Sequence, residues 1–420
     1  MKYVIIGNGI AAAGAVEGIR SRDRNGAIAV IDGEQRGSYS RPLITYYLAG
    51  KRKAEQMRYR SPAFFHQHGV TVIPDRAVKI DNQARQVILQ SGQAVEYDRL
   101  LLANGASPII PEIPGIALGD WVKTLYTWQD AEQLDLLVTP GHKAVVMGSG
   151  LIGLKAAEAL CQRGMKVTVV EKQSQILPRL LSRTSADLVS NHLQDRGMEI
   201  ITGQEVTRIN EYHQVELDND RRIEAQLVIV AIGTKPNLSL AAACGLAVDR
   251  GILVDSYLRT SDTNIYAAGD VIETTDILTG FPSVMALLPL AHQEGLIAGQ
   301  NMAGAACSYP GGLFINSVNL LGMNIIAAGS PQIPGQTWLW QQREQYLELV
   351  TECGRLVRYI ALNMPQITGP LISLIEQQLK FPESFWQEFA SQPGLNRLPK
   401  LYWEALKEVQ ENDGCRCGAI

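Results

Sequence analysis

The sequence predicts an α/β protein, on three observations. A continuous apolar run, Tyr3-Val4-Ile5-Ile6, enters the glycine turn Gly7-Asn8-Gly9-Ile10-Ala11-Ala12 and then a small-residue helix. The same unit recurs at Ala144-Val145-Val146-Met147, which enters Gly148-Ser149-Gly150-Leu151-Ile152-Gly153. From Leu313 onward the pattern changes to strand-like runs, a hairpin and then a helical stretch. Two Rossmann-like three-layer units, a smaller α+β C-terminal domain and a helical tail follow from these patterns.

An apolar run without alternation suits a parallel strand covered on both faces. In the first unit, Gly7 allows the tight turn and Gly9 lets a pyrophosphate touch the backbone. Ala12 lets helix and strand pack closely, and the helix N-terminus attracts the anion. The next strand, Ala27-Ile28-Ala29-Val30-Ile31, is followed by Asp32 and Glu34, either able to accept ribose hydroxyls. In the second unit, Val167-Thr168-Val169-Val170 ends at Glu171. That carboxylate favours NAD over NADP, since a 2′-phosphate would meet a negative charge; Lys172 beside it works the other way. Two such units imply two dinucleotides.

The 420 residues suit two or three domains. Charged residues are 19%, below the usual ~25%, and the formal net charge is −4. No basic excess exists to meet nucleic-acid phosphates. Between Ile277 and Gln342, Glu294 is the one Asp, Glu, Lys or Arg. Glycine pairs, prolines and asparagines break this stretch, so it is not a membrane span. It reads as a buried strand-rich core or as a surface that meets another protein. The six cysteines have neither zinc-finger nor ferredoxin spacing. His66 and His68 have no third ligand nearby, so no metal site is expected. The N-terminus reaches its glycine turn too soon for a signal peptide, which reads as a cytoplasmic chain.

Two further turns, Leu102-Ala103-Asn104-Gly105-Ala106-Ser107-Pro108 and Ala267-Ala268-Gly269-Asp270, complete an ordered set. With them the chain resembles the pyridine nucleotide-dependent FAD oxidoreductases, over roughly residues 1–330. The resemblance implies a discontinuous FAD domain, 1–114 and 238–310, around an NAD domain, 115–237. A C-terminal interface domain, 311–369, and a helical tail, 370–420, would follow. It assigns FAD to Gly7, Gly9, Ile10, Ala11, Ala12, Glu34, Arg41, Pro42, Ala103, Asn104, Gly105, Gly269 and Asp270. Asn104 stands where the family usually has Thr. Asp270 would hydrogen-bond the ribityl chain, and Glu34 rather than Asp32 would hold the adenosine ribose. Ala291 and His292 would bring a helix N-terminus to the flavin pyrimidine ring. NAD falls to Gly148, Gly150, Leu151, Ile152, Gly153, Glu171 and Gly233.

The branch of the family is set by what touches the flavin. The segment Ser38 to Lys51 contains no cysteine, so no thiolate from it can attack the flavin. Tyr39-Ser40-Arg41-Pro42-Leu43 followed by Leu48-Ala49-Gly50 resembles the FAD modules of NADH-dependent nitrite reductase and rubredoxin reductases. Most nearly it resembles the FAD subunit of iron–sulfur oxidoreductases of the phenylglyoxylate dehydrogenase type. Members often pair a Lys near flavin N5 with a Glu from the NAD domain. Here those positions are Tyr46 and Lys155. Lys155 either supplies the missing cation from the other side or lies on a solvated helix face.

In the C-terminal part, Gln345–Val350 and Arg355–Leu362 read as a hairpin turning at Cys353-Gly354. The later cluster Phe381, Phe385, Trp386 and Phe389, with Trp403 and Leu406, either packs on its own domain or docks a partner. Cys415 and Cys417 would form a redox shuttle, a metal site or nothing. Taken together, the resemblance implies an NAD(H)-dependent FAD oxidoreductase passing electrons to an iron–sulfur subunit or small carrier protein, in a homo- or hetero-oligomer. A free-standing reductase of a carrier or small molecule and a non-catalytic FAD-stabilised assembly subunit are the other readings.

Overall fold

The computed structural model describes residues 1–117, 120–398 and 400. Trp403, Leu406, Cys415 and Cys417 lie outside them. Met1–Lys172 with Gly197–Gly312 form one compact unit, and Gln173–Arg196 with the chain from Leu313 onward form a second.

In the first unit the apolar run becomes the strand Lys2–Ile6, at the centre of a five-stranded sheet. Ala27–Ile31 and then Val70–Ile73 lie on one side; Arg99–Leu102 and then Ile265–Ala267 lie on the other. All four pairings are parallel. Tyr3, Val4, Ile5 and Ile6 are buried, which explains why the run does not alternate. The second glycine turn repeats the plan. Lys143–Met147 is central, with Lys166–Glu171 and Glu199–Thr202 on one side and Leu227–Val230 and Val122–Thr124 on the other, all parallel.

The two sheets differ in where the fifth strand originates. In the second sheet, Val122–Thr124 precedes the glycine turn. In the first, Ile265–Ala267 arrives only after the whole second module has been made. The connecting segments cross as a short antiparallel pair, Ala106–Pro108 with Thr234–Pro236. Each module also carries a three-stranded antiparallel meander, at residues 77–96 and 206–224. No helix among the described residues is long and apolar enough to cross a membrane.

The second unit is a five-stranded antiparallel sheet ordered Ile315–Leu320, Met323–Gly329, Arg355–Leu362, Gln345–Glu352, Gln336–Gln342. The hairpin turns at Cys353-Gly354 as expected. The helix Arg183–Gln194 falls within the stretch read as the NAD domain, yet packs here. Its N-cap Ser182 donates to Glu348 Oε2 (2.5 Å), and His192 contacts the Leu321 carbonyl. Helices Thr368–Gln377 and Glu383–Ser391 cover the sheet. Phe381, Phe385, Trp386 and Phe389 are all buried, and the Trp386 indole donates to the Gly354 carbonyl (3.0 Å). That part of the tail therefore packs on its own unit, and these aromatics are not a docking surface.

Candidate functional site

The first glycine turn is built for backbone contact with a ligand. Gly7 turns with φ +106°, and a Cβ there would lie 2.2 Å from the Ala103 carbonyl oxygen. Gly9 caps the helix Ile10–Arg20 in an extended conformation, and a Cβ on it would meet no protein atom within 4 Å. Gly7 is thus required by the fold, while the space beside Gly9 is open. Ile10 and Ala11 open the helix, and Ala12 is fully buried against the sheet. Asp32 turns inward: it accepts the backbone N–H groups of Gln35 (3.0 Å) and Gly37 (2.8 Å) and the Asn8 amide (3.1 Å). Glu34, two residues on, stays partly exposed beside Tyr39 and Arg41 (2.6 and 2.5 Å). Of the two acids, Asp32 is taken up by its own turn, while Glu34 keeps an exposed edge.

A second helix comes to the same end. Leu288–Met302 runs parallel to Ile10–Arg20, with the backbones in contact. A Cβ on Gly295 would lie 2.0 Å from Ala11 O, on Gly299 2.2 Å from Ala15 O, on Gly14 2.3 Å from His292 O, and on Gly18 2.1 Å from Leu296 O. Gly269 sits between the two N-terminal turns, its would-be Cβ 3.2 Å from Ala11 and 3.6 Å from Ala291. Two helix N-termini and the Gly269–Asp270 turn therefore converge, which favours a bound anion. Burial raises the Asp270 carboxyl from its usual range, with Arg41 opposing. Tyr126 donates to Asp270 (3.4 Å), while its carbonyl takes Arg41 Nη1 (3.0 Å) and its ring lies 4.5 Å below the guanidinium. Pro42 follows Arg41 at the start of a single 3-10 turn. His292 turns its ring to Glu17 on the first helix (3.0 Å), so its side chain serves the helix pair.

Asn104 and Gly105 lie at the crossing between modules rather than at the glycine turn alone. Asn104 donates to Asn237 O and Asn237 donates to Asn104 O, both at 2.8 Å. Asn237 N–H binds Gly105 O (3.0 Å), and Gly233 O accepts Ile109 N–H (2.9 Å). The Oδ1 atoms of Asn8 and Asn104 are buried without a hydrogen-bond partner.

The second glycine turn matches the first in register: Gly7 N–H binds Ile31 O and Gly148 N–H binds Val170 O. That alignment equates Asp32 with Glu171 and Asn8 with Ser149. Glu171 accordingly turns inward, accepting the Ser149 N–H (2.9 Å) and hydroxyl (2.7 Å). Gly153 lies so close to Gly148 O (2.1 Å from a would-be Cβ) that a side chain is excluded, whereas Gly150 is open like Gly9. Leu151 and Ile152 begin the helix Leu151–Gln162, with Ile152 exposed.

Lys155 on that helix is not solvated. Its side chain is 15% exposed, pairs with Glu158, and places Nζ 4.6 Å from the Tyr46 ring centroid. The two departures from the expected lysine and glutamate thus meet each other, as a cation over a tyrosine. The sequence reading missed Tyr126 and Glu294. Glu294 is 1% exposed, accepts the Gly269 N–H (2.9 Å) and the Tyr309 hydroxyl (3.1 Å), and its carboxyl is pushed up to about 8 by burial. Its isolation in an uncharged stretch was the available signal. Cys161, beside Glu158, is pushed up to about 11 by burial and is no thiolate nucleophile.

Open space at Gly9 and Gly150, converging helix N-termini and the two unpartnered asparagine oxygens fit two dinucleotides. The family model described as pyridine nucleotide-disulphide oxidoreductase matches residues 1–295. The chain is 34% identical over 339 residues to NADH-dependent phenylglyoxylate dehydrogenase subunit epsilon of Aromatoleum evansii, covering 79% of this chain and 80% of that one. It is 31% identical over 299 residues to the nitric oxide reductase FlRd-NAD(+) reductase of Escherichia coli K12, covering 70% and 78%. Among solved structures it resembles an NAD-dependent persulfide reductase from A. fulgidus, with TM-score 0.86, 29% identity and coverage of 90% and 77%.

Proposed function

Because the chain belongs to the pyridine nucleotide-disulphide oxidoreductase family, as an FAD- and NAD(H)-dependent oxidoreductase without a cysteine pair at the flavin segment, we propose that it is the NAD-linked electron-transfer subunit of a larger oxidoreductase. Its partner in this reading is an iron–sulfur subunit or small electron carrier. The observation that carries the reading is the likeness to an NADH-dependent dehydrogenase subunit across four-fifths of both chains.

When bound, FAD supplies hydride exchange with the nicotinamide and single-electron exchange with the partner. The protein's part is orientation and electrostatics. In this reading Gly7, Gly9 and the Ile10–Arg20 N-terminus hold the FAD pyrophosphate, Glu34 the adenosine ribose and Asp270 the ribityl chain. Gly148, Gly150 and the Leu151–Gln162 N-terminus hold NAD. Lys155, held over Tyr46 by its pairing with Glu158, places a cation at the flavin end of the NAD module in this reading. No side chain is needed as a general base.

Purification from its native source tests the subunit reading: an iron–sulfur protein should copurify in fixed ratio. A chain that purifies alone and reduces a carrier protein at full rate would replace it with a free-standing reductase. The Escherichia coli relative, named as a reductase of another protein, supports that second reading. In anaerobic NADH titration the flavin absorbance should bleach under either.

A further inference from the structure

Glu294 is the one Asp, Glu, Lys or Arg between Ile277 and Gln342, and it lies inside the protein. It sits on Leu288–Met302, nearly two turns from the N-terminal end that converges on the first glycine turn. Oε2 accepts the Gly269 N–H and Oε1 the Tyr309 hydroxyl. Among the described residues no Lys, Arg or His pairs with it. On its own helix, His292 is turned to Glu17 of the neighbouring helix, and Glu17 also takes Arg60 (2.8 Å). On the glycine turn the facing group is Asp270, which takes the Tyr126 hydroxyl and feels the Arg41 charge. On the loop after the helix it is Tyr309, itself buried. The environment therefore offers hydrogen bonds but no counter-charge. Burial favours the neutral acid, Gly269 and Tyr309 pull the other way, and the Asp270 charge adds to the burial effect.

We propose that Glu294 is a positioning residue for FAD: as the neutral acid it holds the Gly269–Asp270 turn in place without adding charge, and its ionisation weakens FAD binding. In the neutral form the proton sits on Oε1 and is donated to the Tyr309 oxygen, while Oε2 keeps the Gly269 N–H. Ionised, the residue puts a negative charge beneath a turn shared with Asp270, at the end where the pyrophosphate brings its own negative charges. Proton and FAD then support each other's binding, and by linkage each raises the other's affinity equally. The proposal rests on the FAD reading of the first glycine turn.

The test is FAD titration of the full-length apo-protein, followed by quenching of flavin fluorescence, from about pH 6.5 to about pH 9.5. Wild type should lose affinity by up to about tenfold per pH unit above the Glu294 ionisation. Glu294→Gln keeps the neutral shape and should bind as tightly as wild type at low pH, with that loss abolished. Tyr309→Phe removes a donor that favours the carboxylate, so its break should move to higher pH. Calorimetry in two buffers of different ionisation enthalpy should show proton uptake on FAD binding near the break in wild type and none in Glu294→Gln. Equal pH slopes in wild type and Glu294→Gln, or a Glu294→Gln protein that folds but binds FAD poorly at every pH, would overturn the proposal. A wild type that binds no FAD at any pH would overturn the FAD reading itself, and the proposal with it.

Discussion

Replacing Gly9 by alanine should leave the apo-protein folded and remove most of its FAD affinity. Gly9 has φ −86° and ψ −161°, which alanine adopts freely, and the added Cβ finds no protein atom within 4 Å. The cost to the fold is that of alanine for glycine at a helix N-cap, about 1 kcal/mol or less. The cost to binding is larger. The Cβ occupies the space through which a pyrophosphate reaches the turn, and a lost hydrogen bond to a charged group is worth about 1.5–3 kcal/mol. That corresponds to roughly 10- to 150-fold in dissociation constant for each bond lost. Gly7→Ala is the opposite case: its φ is +106° and its Cβ would lie 2.2 Å from Ala103 O, so the apo-fold itself should fail. The assay is thermal unfolding of each apo-protein beside FAD titration. Gly150→Ala provides the parallel for the other module, losing NADH affinity while FAD binding stays intact. A Gly9→Ala protein with wild-type FAD affinity would refute the argument, as would one whose apo-form unfolds as readily as Gly7→Ala.

Gly295→Ala puts a Cβ 2.0 Å from Ala11 O, so the paired helices must separate by more than an ångström to reach ordinary contact. Overpacking of that kind costs about 1–3 kcal/mol, and FAD retention after gel filtration should fall with the melting temperature. Lys155→Ala strips the buried Glu158 of its cation, which should cost about 3–5 kcal/mol, and Lys155→Ala/Glu158→Ala should recover much of it in denaturant titration. The same Lys155→Ala protein should show a lowered flavin potential or slower reduction by NADH in stopped flow; unchanged values of both would remove Lys155 from the flavin site. The folded state binds the Glu294 proton more tightly than the unfolded chain does, with the group moved from 4.5 to about 8. Its contribution is therefore fully present below about pH 4.5 and lost as pH rises toward about 8. Urea midpoints of wild type minus Glu294→Gln should fall across that window, and a flat difference would show that the acid is not raised.

Both glycine turns, both parallel sheets and the hairpin at Cys353-Gly354 were readable in the sequence, because each has a local signature. Gly7 marks its turn by geometry no other residue tolerates, and the buried runs lack alternation because both faces are covered, one of them in each module by the three-stranded meander. Asp32 and Glu171 show the limit of such reading. Both stand at the end of the right strand, yet both turn inward to staple their own glycine turns. Only the hydrogen bonds distinguish a carboxylate that holds a loop from one that faces a ligand. The contact between Ile10–Arg20 and Leu288–Met302 was equally hidden. Gly14, Gly18, Gly295 and Gly299 each read as ordinary helix glycines until the two helices are placed side by side. Glu294 was visible as a lone charge, but only burial gives that charge a consequence.

The order of strands explains why the first glycine turn depends on so much of the chain. The second module closes on itself, since its fifth strand, Val122–Thr124, is made before its glycine turn. The first module cannot close until Ile265–Ala267 returns and pairs with Arg99–Leu102. That strand delivers Gly269 and Asp270, and the helix after it delivers the second N-terminus and Glu294. Asn104 and Asn237 clasp the two connecting segments at their crossing, so the return path is fixed by reciprocal hydrogen bonds to the backbone. A first glycine turn folded without the returning strand would have the open space at Gly9, but neither the acid nor the second helix that completes the site. The pairing of the two helices through glycine is then the step that brings early and late parts of the chain to one end. A side chain at Gly295 would oppose that step wherever it points, because the contact is backbone to backbone.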